Sequence, residues 1–413
     1  SSNPTVNPAG PLTGIRILDL SRILAGPVCT QLLGDYGADI IKIEKPGAGD
    51  DTRKWGPPFV KDADGADTEE SAFYLCANRN KRSVAVDISQ PGGQAVIRKL
   101  LAKCDVLIEN FRVGALSKYG LGYDELRDEF PSLVYCSITG FGQTGPYRDR
   151  AGYDFLAQGM GGIMSVTGEP DGMPMKTGIG IADVMTGMHA STGILAALRH
   201  RDATGMGQHI DLSLFETQIS WLYYHAVEYL NSGENPARLG NAHANVVPYE
   251  VFETSDGHVI LAAGNDGQFA SFCNVAGAPE LAQEPDFATN PNRIRNRDAL
   301  LPRIREILKA RSTDDWVSAL EDAGVPCGPI NTLDRVFDDP HVQARSMAID
   351  MPHPQAGSVM LVAAPAKMSA TPVTYRRPPP VRGEHTTEVL RDVIGLTDDE
   401  IARLRQDGIA EGE

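Results

Sequence analysis

The sequence predicts an α/β protein with a parallel sheet in a large N-terminal domain and a smaller α+β domain after it. Short apolar segments alternate with helical patterns through residues 11–150. This spacing is typical of parallel strands joined by helices that cover both faces of a sheet. A hairpin signal and three helical patterns follow near residues 240–330. The length of 413 residues is sufficient for two domains and a large core.

The elements of the first region follow one another in a regular order. Helices are predicted to begin at Ala25 and to span residues 91–103, and strands are predicted at 15–20, 39–44, 83–87, 105–110 and 133–138. Ligands of such sheets bind beyond the carboxyl ends of the strands. We therefore expect the loops after residues 20, 44, 87 and 110 to line a site. No GxGxxG follows the first strand and no GxxxxGK[ST] is present, which argues against a dinucleotide or P-loop site.

The second half of the chain changes its pattern. A long helical zone is predicted over residues 184–233, with a break near residues 205–207. Apolar runs on either side of Asp256-Gly257 predict a β-hairpin. Helical patterns follow at 266–277, 297–311 and 313–323. Residues 331–413 return to mixed turns and helices, and the Pro-rich residues 376–380 are expected to form an extended connector.

Composition excludes several classes of partner. The net charge is −16 and no dense Lys/Arg run is present, which argues against nucleic acid. The six cysteines form no CxxC pair and have no zinc-type spacing, so we expect reduced thiols, no metal and a cytoplasmic location. No stretch approaches the roughly 20 apolar residues of a membrane span. Residues 1–10 are polar, lack the apolar region of a signal peptide and are expected to lie loose on the surface.

The most informative single residue is Asp183. It follows the Gly-rich residues 177–180 and precedes an apolar helical pattern. At a helix start, unpaired backbone N–H groups stabilise an ionised carboxylate, and a precisely placed carboxylate can act as a nucleophile. The alternative is that Asp183 only caps the helix, because Asp is a preferred capping residue. The local pattern alone favours the cap.

Short motifs lie at residues 12–20, 25–27, 34–44, 49–53, 80–83, 109–111, 142–146, 264–269, 324–329 and 383–386. Each motif is weak alone, but their joint order is specific. Together they resemble the class III CoA-transferases of the formyl-CoA transferase type, a family that also contains L-carnitine CoA-transferases and α-methylacyl-CoA racemases. The resemblance implies a Rossmann-like large domain built from residues 11–224 and 331–413, with a small domain at 225–330 between them. It also implies a homodimer of two chains interlocked like links.

The resemblance leaves more than one reaction open. In the racemases a His-Asp pair within Gly-His-Asp moves the α-proton, whereas this chain has Gly152-Tyr153-Asp154. Tyrosine, with an ordinary pKa of about 10, is a poorer two-way proton shuttle than histidine at about 6.5. His189, six residues after Asp183, is expected to pack or cap rather than replace that base. A transferase is therefore favoured over a racemase. A catalytically idle CoA-binding homologue and a thioester hydrolase remain alternatives.

In the transferase mechanism that the resemblance implies, the Asp183 carboxylate attacks the thioester carbonyl of a donor acyl-CoA. A mixed anhydride forms first and an aspartyl-CoA thioester second, and an acceptor acid then reverses the sequence. Water must be excluded because it would hydrolyse the anhydride. The N–H groups of Gly178, Gly180 or Gly264 are candidate donors to the oxyanions.

Acyl-CoA acts here as substrate, and the resemblance places its contacts in the strand-end loops. Lys45 and Lys118 stand where the family has arginine, which keeps the charge but loses a planar stacking surface. Surface charge is the alternative role for these lysines, and core packing is the alternative for Val86 and Ile88. The full set of implied contacts is Leu24, Ala25, Lys45, Val86, Asp87, Ile88, Ser89, Asn110, Phe111, Arg112, Lys118, Tyr153 and Asp154.

Two departures from the formyl-CoA enzyme argue against formate and oxalate as substrates, and a formyl-CoA:oxalate-type transferase remains an alternative. The formyl-CoA enzyme has glutamine where Leu24 stands, and a tetraglycine loop where this chain has residues 240–249. The sequence of residues 241–249 looks like that of members that pair succinyl-CoA with C4 to C6 dicarboxylic acids such as glutarate, mesaconate or citramalate. A distal carboxylate needs a cation, and bidentate arginine suits it. The candidate substrate residues are Arg53, Arg148, Arg150, His243 and, as an apolar wall, Trp55. A surface position or a CoA contact is the alternative for the first four, and plain packing is the alternative for Trp55.

Overall fold

The computed structural model describes residues 10–413, so the expectation for the first nine residues lies outside the described part of the chain. Two compact units are present. The large unit runs to Ile163 and includes Thr177–Val227 and Gln343–Glu413. The small unit consists of Met164–Lys176 and Glu228–Val342.

These bounds differ from the predicted ones in three places. Residues 164–176 belong to the small unit, the chain enters that unit again at residue 228 instead of 225, and it returns to the large unit at residue 343 instead of 331. The first difference has a clear cause. Arg238 donates from Nε to the carbonyl oxygen of Glu169 at 2.8 Å, and the N–H of Gly240 donates to the carbonyl of Gly168. These bonds fasten residues 164–176 to the small unit.

The strands of residues 10–413 are, in chain order, β1 Arg16–Asp19, β2 Asp39–Glu44, β3 Phe59–Lys61, β4 Asp67–Ser71, β5 Lys81–Val86, β6 Val106–Glu109, β7 Val134–Thr139, β8 His209–Ser213, β9 Tyr249–Glu253, β10 His258–Ala262, β11 Cys327–Pro329, β12 Ala348–His353, β13 Gly357–Val362 and β14 Ala410–Glu411.

The α-helices of the same residues are α1 Ala25–Asp35, α2 Ala72–Leu75, α3 Pro91–Leu101, α4 Tyr123–Leu126, α5 Asp154–Met160, α6 Ile181–Thr204, α7 Leu214–Ser220, α8 Tyr224–Ser232, α9 Asp266–Val275, α10 Asn290–Arg295, α11 Arg297–Leu308, α12 Thr313–Asp322, α13 Leu333–Asp338, α14 Pro340–Ala344, α15 Thr386–Asp392 and α16 Asp398–Gln406. Short 3-10 helices lie at Asp51–Lys54, Ser117–Tyr119, Ile163–Val166 and Pro279–Ala282.

The large unit is built on one sheet with strand order β14-β5-β2-β1-β6-β7-β8. All pairs are parallel except β14 on β5, so the predicted parallel sheet is confirmed. Both faces of the sheet are covered. In β1, Ile17 packs with α1 and α6 on one face, while Leu18 packs with α3 and α15 on the other. A strand buried on both faces explains why these segments are apolar throughout.

The helical prediction over residues 184–233 was wrong at one point, because residues 209–213 form β8. Gly205 ends α6 in the left-handed conformation with φ of 77°, and its N–H donates to the carbonyl of Arg201. Such a glycine stops a helix. Residues 209–213 alternate polar and apolar side chains, and Ile210 and Leu212 pack into the core. They fit an extended segment that pairs with β7.

Helix α6 also corrects the expectation about membrane spans, because its length and composition would allow it to cross a membrane. Ala190, Ile194 and Leu198 of this helix are buried in the core cluster that it shares with α1. Its apolar character is therefore that of a core helix.

The small unit has an antiparallel sheet of order β11-β10-β9. The predicted hairpin is confirmed, with Phe252 of β9 opposite Val259 of β10. The predicted helices after it form α9, α11 and α12, and they pack around Phe272, Ile304 and Trp316. This unit is therefore a separate α+β core.

Candidate active site

Two cavities open at the carboxyl ends of the central strands of the large unit. The first has a volume of about 500 Å³ and contains Asp183 in its wall, and the second has a volume of about 350 Å³. Arg22, Asp51 and Phe111 line both cavities, so the two are neighbours. The loops after residues 20, 44, 87 and 110 all contribute to these walls, as the strand pattern predicted.

Asp183 lies inside the first turn of α6 and does not cap it. The capping position is Gly180, which provides no side chain. The N–H of Asp183 itself donates to Oδ1 of Asp154, the first residue of α5, at 2.9 Å. The interpretation of Asp183 as its own helix cap was therefore wrong, because Asp154 supplies the capping carboxylate. The Asp183 side chain is left for another role.

The electrostatic surroundings of Asp183 also differ from expectation. Within residues 10–413 its carboxylate accepts no hydrogen bond and pairs with no cation. Burial, followed by repulsion from Asp154, raises the pKa of Asp183 to about 7. The helix start was expected to favour the ionised form, but desolvation outweighs it and Asp154 already occupies the terminus. Asp183 is therefore poised between its two protonation states near neutral pH.

A buried amide fixes Asp154 and the loop before α6. Gln158 is fully buried, and its Nε2 donates to Oδ2 of Asp154 at 2.7 Å. Its Oε1 accepts the backbone N–H of Thr177 at 3.0 Å. Sequence reasoning missed Gln158, although its position four residues after Asp154 on one helix was a usable signal.

Several backbone donors near Asp183 have no acceptor. Among the described residues, the N–H groups of Leu24, Ala25 and Gly26 at the start of α1 donate no hydrogen bond, and those of Gly178 and Gly180 do not either. The N–H of Gly264 instead donates to Oε1 of Gln268 at 2.7 Å, which removes it as an oxyanion donor. The start of α1 was missed by sequence reasoning.

The structure brings most of the proposed CoA contacts together. The first cavity is lined by Leu24, Ala25, Asn110, Phe111, Arg112, Tyr153 and Asp154. The second is lined by Lys45, Val86, Asp87, Ile88 and Ser89, together with Phe111. The exception is Lys118, which is exposed in a 3-10 helix and lines neither cavity. Its neighbour Tyr119 lies in the wall of the second cavity instead.

The candidate substrate residues are less closely grouped. Arg148 and Arg150 line the first cavity. The Arg150 guanidinium lies 5.1 Å from the ring centre of Tyr147 and 5.5 Å from that of Phe141.

The sequence analysis missed Arg22, which also lines the first cavity. Its place in the loop after β1 was a usable signal, because the loops at strand ends line such sites.

Arg53 does not fit a substrate contact. Its side chain is 4% exposed, and its donors are engaged by Glu44 at 2.9 Å and Glu70 at 3.1 Å. The stacked ring of Tyr74 and the carbonyl of Pro380 complete its surroundings. Arg53 therefore lies in a buried ion network, outside the lining of both cavities.

Two further candidates also lie elsewhere in the fold. Trp55 packs edge-on against Phe73 with ring centres 5.0 Å apart and lines neither cavity. His243 belongs to the small unit, where its Nδ1 accepts the N–H of Asn245 at 3.0 Å.

Among the described residues that line the cavity of Asp183, none is a histidine. Tyr153 is 67% exposed, and His189 accepts a hydrogen bond from Nε1 of Trp221 at 3.0 Å. In the described part of the chain, no group of three or more His, Cys, Asp or Glu could hold a metal ion.

The chain is similar to known proteins over nearly its full length. The profile of "CoA-transferase family III" matches residues 12–386. The succinate–glutarate CoA-transferase of Agrobacterium fabrum is 48% identical, over 93% of this chain and 96% of that protein. The human succinyl-CoA:glutarate CoA-transferase is 42% identical, over 98% and 91%.

A solved structure gives the same result. The crystal structure of a CAIB/BAIF family protein from Brucella suis superposes with a TM-score of 0.86 at 45% identity, covering 94% of this chain and 100% of that one. The profile, the sequence relatives and this structure agree in fold and extent, and the protein belongs to CoA-transferase family III.

Proposed function

We propose that this enzyme transfers CoA from succinyl-CoA to a small dicarboxylic acid, with Asp183 as the nucleophile. The observation on which the proposal rests is the position of Asp183 in the wall of the first cavity, with no hydrogen-bond donor or cation on its carboxylate among residues 10–413. A carboxylate held in this way can attack an electrophile without first breaking a bond to the protein. The dicarboxylate is proposed from the similarity to the glutarate transferases.

The reaction requires two acyl exchanges at Asp183. An oxygen of Asp183 attacks the thioester carbon of the donor, the C–S bond breaks, and CoA leaves as a thiolate from the anhydride. The thiolate then attacks the Asp183 carbonyl of the anhydride and releases the donor as a free carboxylate. The acceptor carboxylate attacks the carbonyl of this aspartyl-CoA thioester, and CoA leaves as a thiolate from a second mixed anhydride. The thiolate then attacks the acceptor carbonyl of that anhydride, which gives the acceptor acyl-CoA and restores the Asp183 carboxylate. The unpaired N–H groups of Leu24 and Ala25 lie in the same wall and suit the developing oxyanions.

The two neighbouring cavities suit the two ends of an acyl-CoA. The first cavity holds the thioester beside Asp183, and the second takes the nucleotide end. Lys45 supplies a cation for a phosphate in the second cavity, and Phe111 lies between the two ends. The Asp87 carboxylate is turned to the N–H and hydroxyl of Ser89, which lower its pKa.

Arg150 is the best-placed cation for the distal carboxylate of a dicarboxylic acid. It lines the cavity of Asp183, and no carboxylate pairs with it in the described part of the chain. Stacking on Tyr147 and Phe141 holds the guanidinium in place before substrate arrives. Arg148, in contrast, lies 3.5 Å from the carboxylate of Asp149.

The proposal includes an interlocked homodimer in the cytoplasm. Five large apolar side chains between residues 219 and 227 are at least 36% exposed, namely Ile219, Trp221, Tyr223, Tyr224 and Val227. A contiguous apolar run of this kind suits a chain interface. All six cysteines are free, which suits a reducing compartment.

An exchange assay read by mass spectrometry tests the function. Wild-type protein is mixed with succinyl-CoA and a panel of mono- and dicarboxylic acids, beside Asp183→Ala. New acyl-CoA products that depend on Asp183 are expected for the dicarboxylic acids. No exchange, together with deuterium uptake at the α-carbon of a 2-methylacyl-CoA, would overturn the transferase in favour of the racemase.

The same assay tests the assignment of Arg150. Arg150→Ala is expected to raise KM for the dicarboxylic acid by about tenfold or more, since a charge-assisted pair is lost. The KM for a monocarboxylic acid of equal length should change little. Arg148→Ala is the matched control, and an equal loss in both variants would show that Arg150 has no special role.

A further inference from the structure

A tight corner, formed by residues 20–24 between β1 and α1, has a strained backbone at the active site. Ile23 has φ of +74°, in the left-handed region, and it lines the cavity of Asp183. For a β-branched residue this conformation is an outlier that surrounding contacts must enforce. The other non-glycine residues with positive φ in residues 10–413 are Asn80, Tyr223 and Ser346, none of them β-branched.

A buried ion pair holds Ile23 from one side. Its N–H lies 3.2 and 3.3 Å from the two oxygens of Asp50, which accept it together. Asp50 pairs with Lys42 at 2.8 Å, and both side chains are completely buried. The ammonium group of Lys42 also donates to the carbonyl of Ser21 at 3.1 Å, so Lys42 contacts both the backbone of the corner and the Asp50 carboxylate. Burial opposes ionisation of Asp50, but Lys42 and the donors of Thr52 hold its pKa at about 2.

Asn110 holds the neighbouring residue from the other side. Its Oδ1 accepts the N–H of Arg22 at 3.0 Å, and its Nδ2 donates to the carbonyl of Arg22 at 2.7 Å. The backbone of residues 21–23 is thus held by three side chains from other segments. These are Lys42 of β2, Asp50 of the loop after β2 and Asn110 of the loop after β6. The chain then turns at Ile23, and the next three N–H groups, of residues 24–26, remain without acceptors among the described residues.

The corner also packs closely against α6, the helix that contains Asp183. Gly187 lies one turn beyond Asp183 on α6, and a Cβ there would lie 2.6 Å from the carbonyl oxygen of Ala25. A Cβ on Gly180 would lie 3.5 Å from Cδ2 of Leu24. The corner therefore sits against α6 at close range, and a change of backbone at Ile23 would move Leu24 and Ala25 relative to Asp183.

We propose that Asp50, anchored by Lys42, is a positioning residue that holds Ile23 in the left-handed conformation and so fixes Leu24 and Ala25 opposite Asp183. The inference rests on the proposed transferase function for its catalytic consequence only. Its structural part concerns the backbone of residue 23. Lys42 and Asp50 also belong to the wall of the second cavity, but both side chains are completely buried, and in this scheme the pair acts on the site of Asp183 through the corner.

The test is a mutant cycle in the succinyl-CoA exchange assay. Lys42→Met with Asp50→Ala removes both charges, so that neither is left buried alone. This double change is made with Ile, Gly or Ala at position 23. Glycine adopts positive φ without help, whereas alanine removes the side chain but keeps the strain. Removing the pair is expected to lower kcat by about tenfold to a hundredfold with Ile or Ala at position 23, because a shift of about 1 Å near the reacting atoms has effects of this size.

With Gly at position 23, the same removal should lower kcat less than about threefold, since glycine needs no clamp. Thermal stability should fall in all three backgrounds, and least with Ile or Ala, where removal of the pair also relieves strain at residue 23. An equal loss of kcat in the Gly and Ile backgrounds would overturn the proposal and leave the pair with a purely structural role. If the double change does not fold, Lys42→Met with Asp50→Leu, which fills the space of both side chains with apolar groups, is carried through the same cycle.

A crystal structure of the pair variant separates this inference from the proposed function, because it requires no activity. With Ile at position 23 and the pair removed, φ of residue 23 is expected to become negative. A φ that stays near +74° would overturn the positioning role, even in an active enzyme. A relaxed corner in this variant, together with no exchange activity in the wild-type protein, would support the positioning role and overturn the function.

Discussion

Two carboxylates flank the same corner of the large unit and have opposite surroundings. Asp50 is fully buried, accepts hydrogen bonds from Ile23 and Thr52, and pairs with Lys42 at 2.8 Å, with a pKa of about 2. Asp183 has no donor and no cation among residues 10–413, and its pKa is raised to about 7. Burial alone would raise both pKa values, so the difference lies in the partners.

The difference separates a supporting acid from a reactive one. A buried carboxylate that is neutralised and hydrogen-bonded is stable in one position, and removing its partner is strongly destabilising. A buried carboxylate without partners destabilises the fold when it ionises, but its oxygens are free to attack. The supporting pair thus holds the wall that faces the reactive acid. Changes to the two acids should therefore have effects of opposite sign on stability.

The largest expected effect is that of Asp183→Asn. Transfer should fall by about a thousandfold or more, because the amide is not a nucleophile. Stability should rise. The folded-state pKa of about 7 is above the unfolded value, so the wild-type protein loses stability as pH rises through this interval. The variant should gain about 1–3 kcal/mol in free energy of unfolding at pH 8, and almost nothing near pH 4.

Thermal unfolding at pH 4 and pH 8 measures this gain, with Asp51→Asn as the control. Asp51 lines both cavities but lies 3.6 Å from Arg22 and is largely exposed, so its change should be nearly neutral at both pH values. A destabilised Asp183→Asn protein at pH 8 would contradict the view of Asp183 as an unsatisfied buried acid.

Lys42→Met should have the opposite sign. The variant leaves Asp50 buried without its cation and should lose about 3–5 kcal/mol in free energy of unfolding at neutral pH. Asp50 has a lowered pKa, so its contribution is present at neutral pH and is lost as pH falls through about 2. Denaturant unfolding at pH 7 measures the loss. Lys45 is exposed and lies three residues after Lys42, so the free energy of unfolding of Lys45→Met should stay within about 0.5 kcal/mol of the wild-type value. Similar losses in both variants would remove the distinction between paired and free charges.

Sequence patterns were sufficient for five of the seven strands of the large sheet and for the position of the site. Strands such as β1 and β2 are apolar on both faces, so the apolar runs mark them directly. The strand-end rule then places the loops around Asp183 and Lys45 in the cavity walls. The strand β8 was missed because it is short and directly follows the long helix α6.

Side-chain partners were beyond reach because they depend on distances between segments far apart in sequence. Arg53 looked like a free cation near the site, but Glu44 and Glu70 enclose it. The pKa of Asp183 depends on burial and, to a smaller extent, on Asp154, which lies 29 residues earlier in the sequence and accepts the N–H of Asp183 at the start of α6. The strain at Ile23 has no sequence signal, because isoleucine is the residue least expected there.

The smallest expected effect is that of Asp154→Asn, and it tests the two causes of the raised pKa of Asp183 separately. In the wild-type enzyme, kcat/KM should rise with pH through about 7, because only the ionised carboxylate attacks. Asparagine keeps an acceptor for the N–H of Asp183 but removes the repulsion. Since burial is the larger cause, the midpoint should move down by about 1 pH unit or less, equivalent to about 1.4 kcal/mol at most. Asp149→Asn, exposed in the wall of the same cavity, should leave the midpoint in place. An upward shift in Asp154→Asn would mean that Asp154 helps Asp183 to ionise, and the contrast between the supporting and the reactive acid would then need a different physical basis.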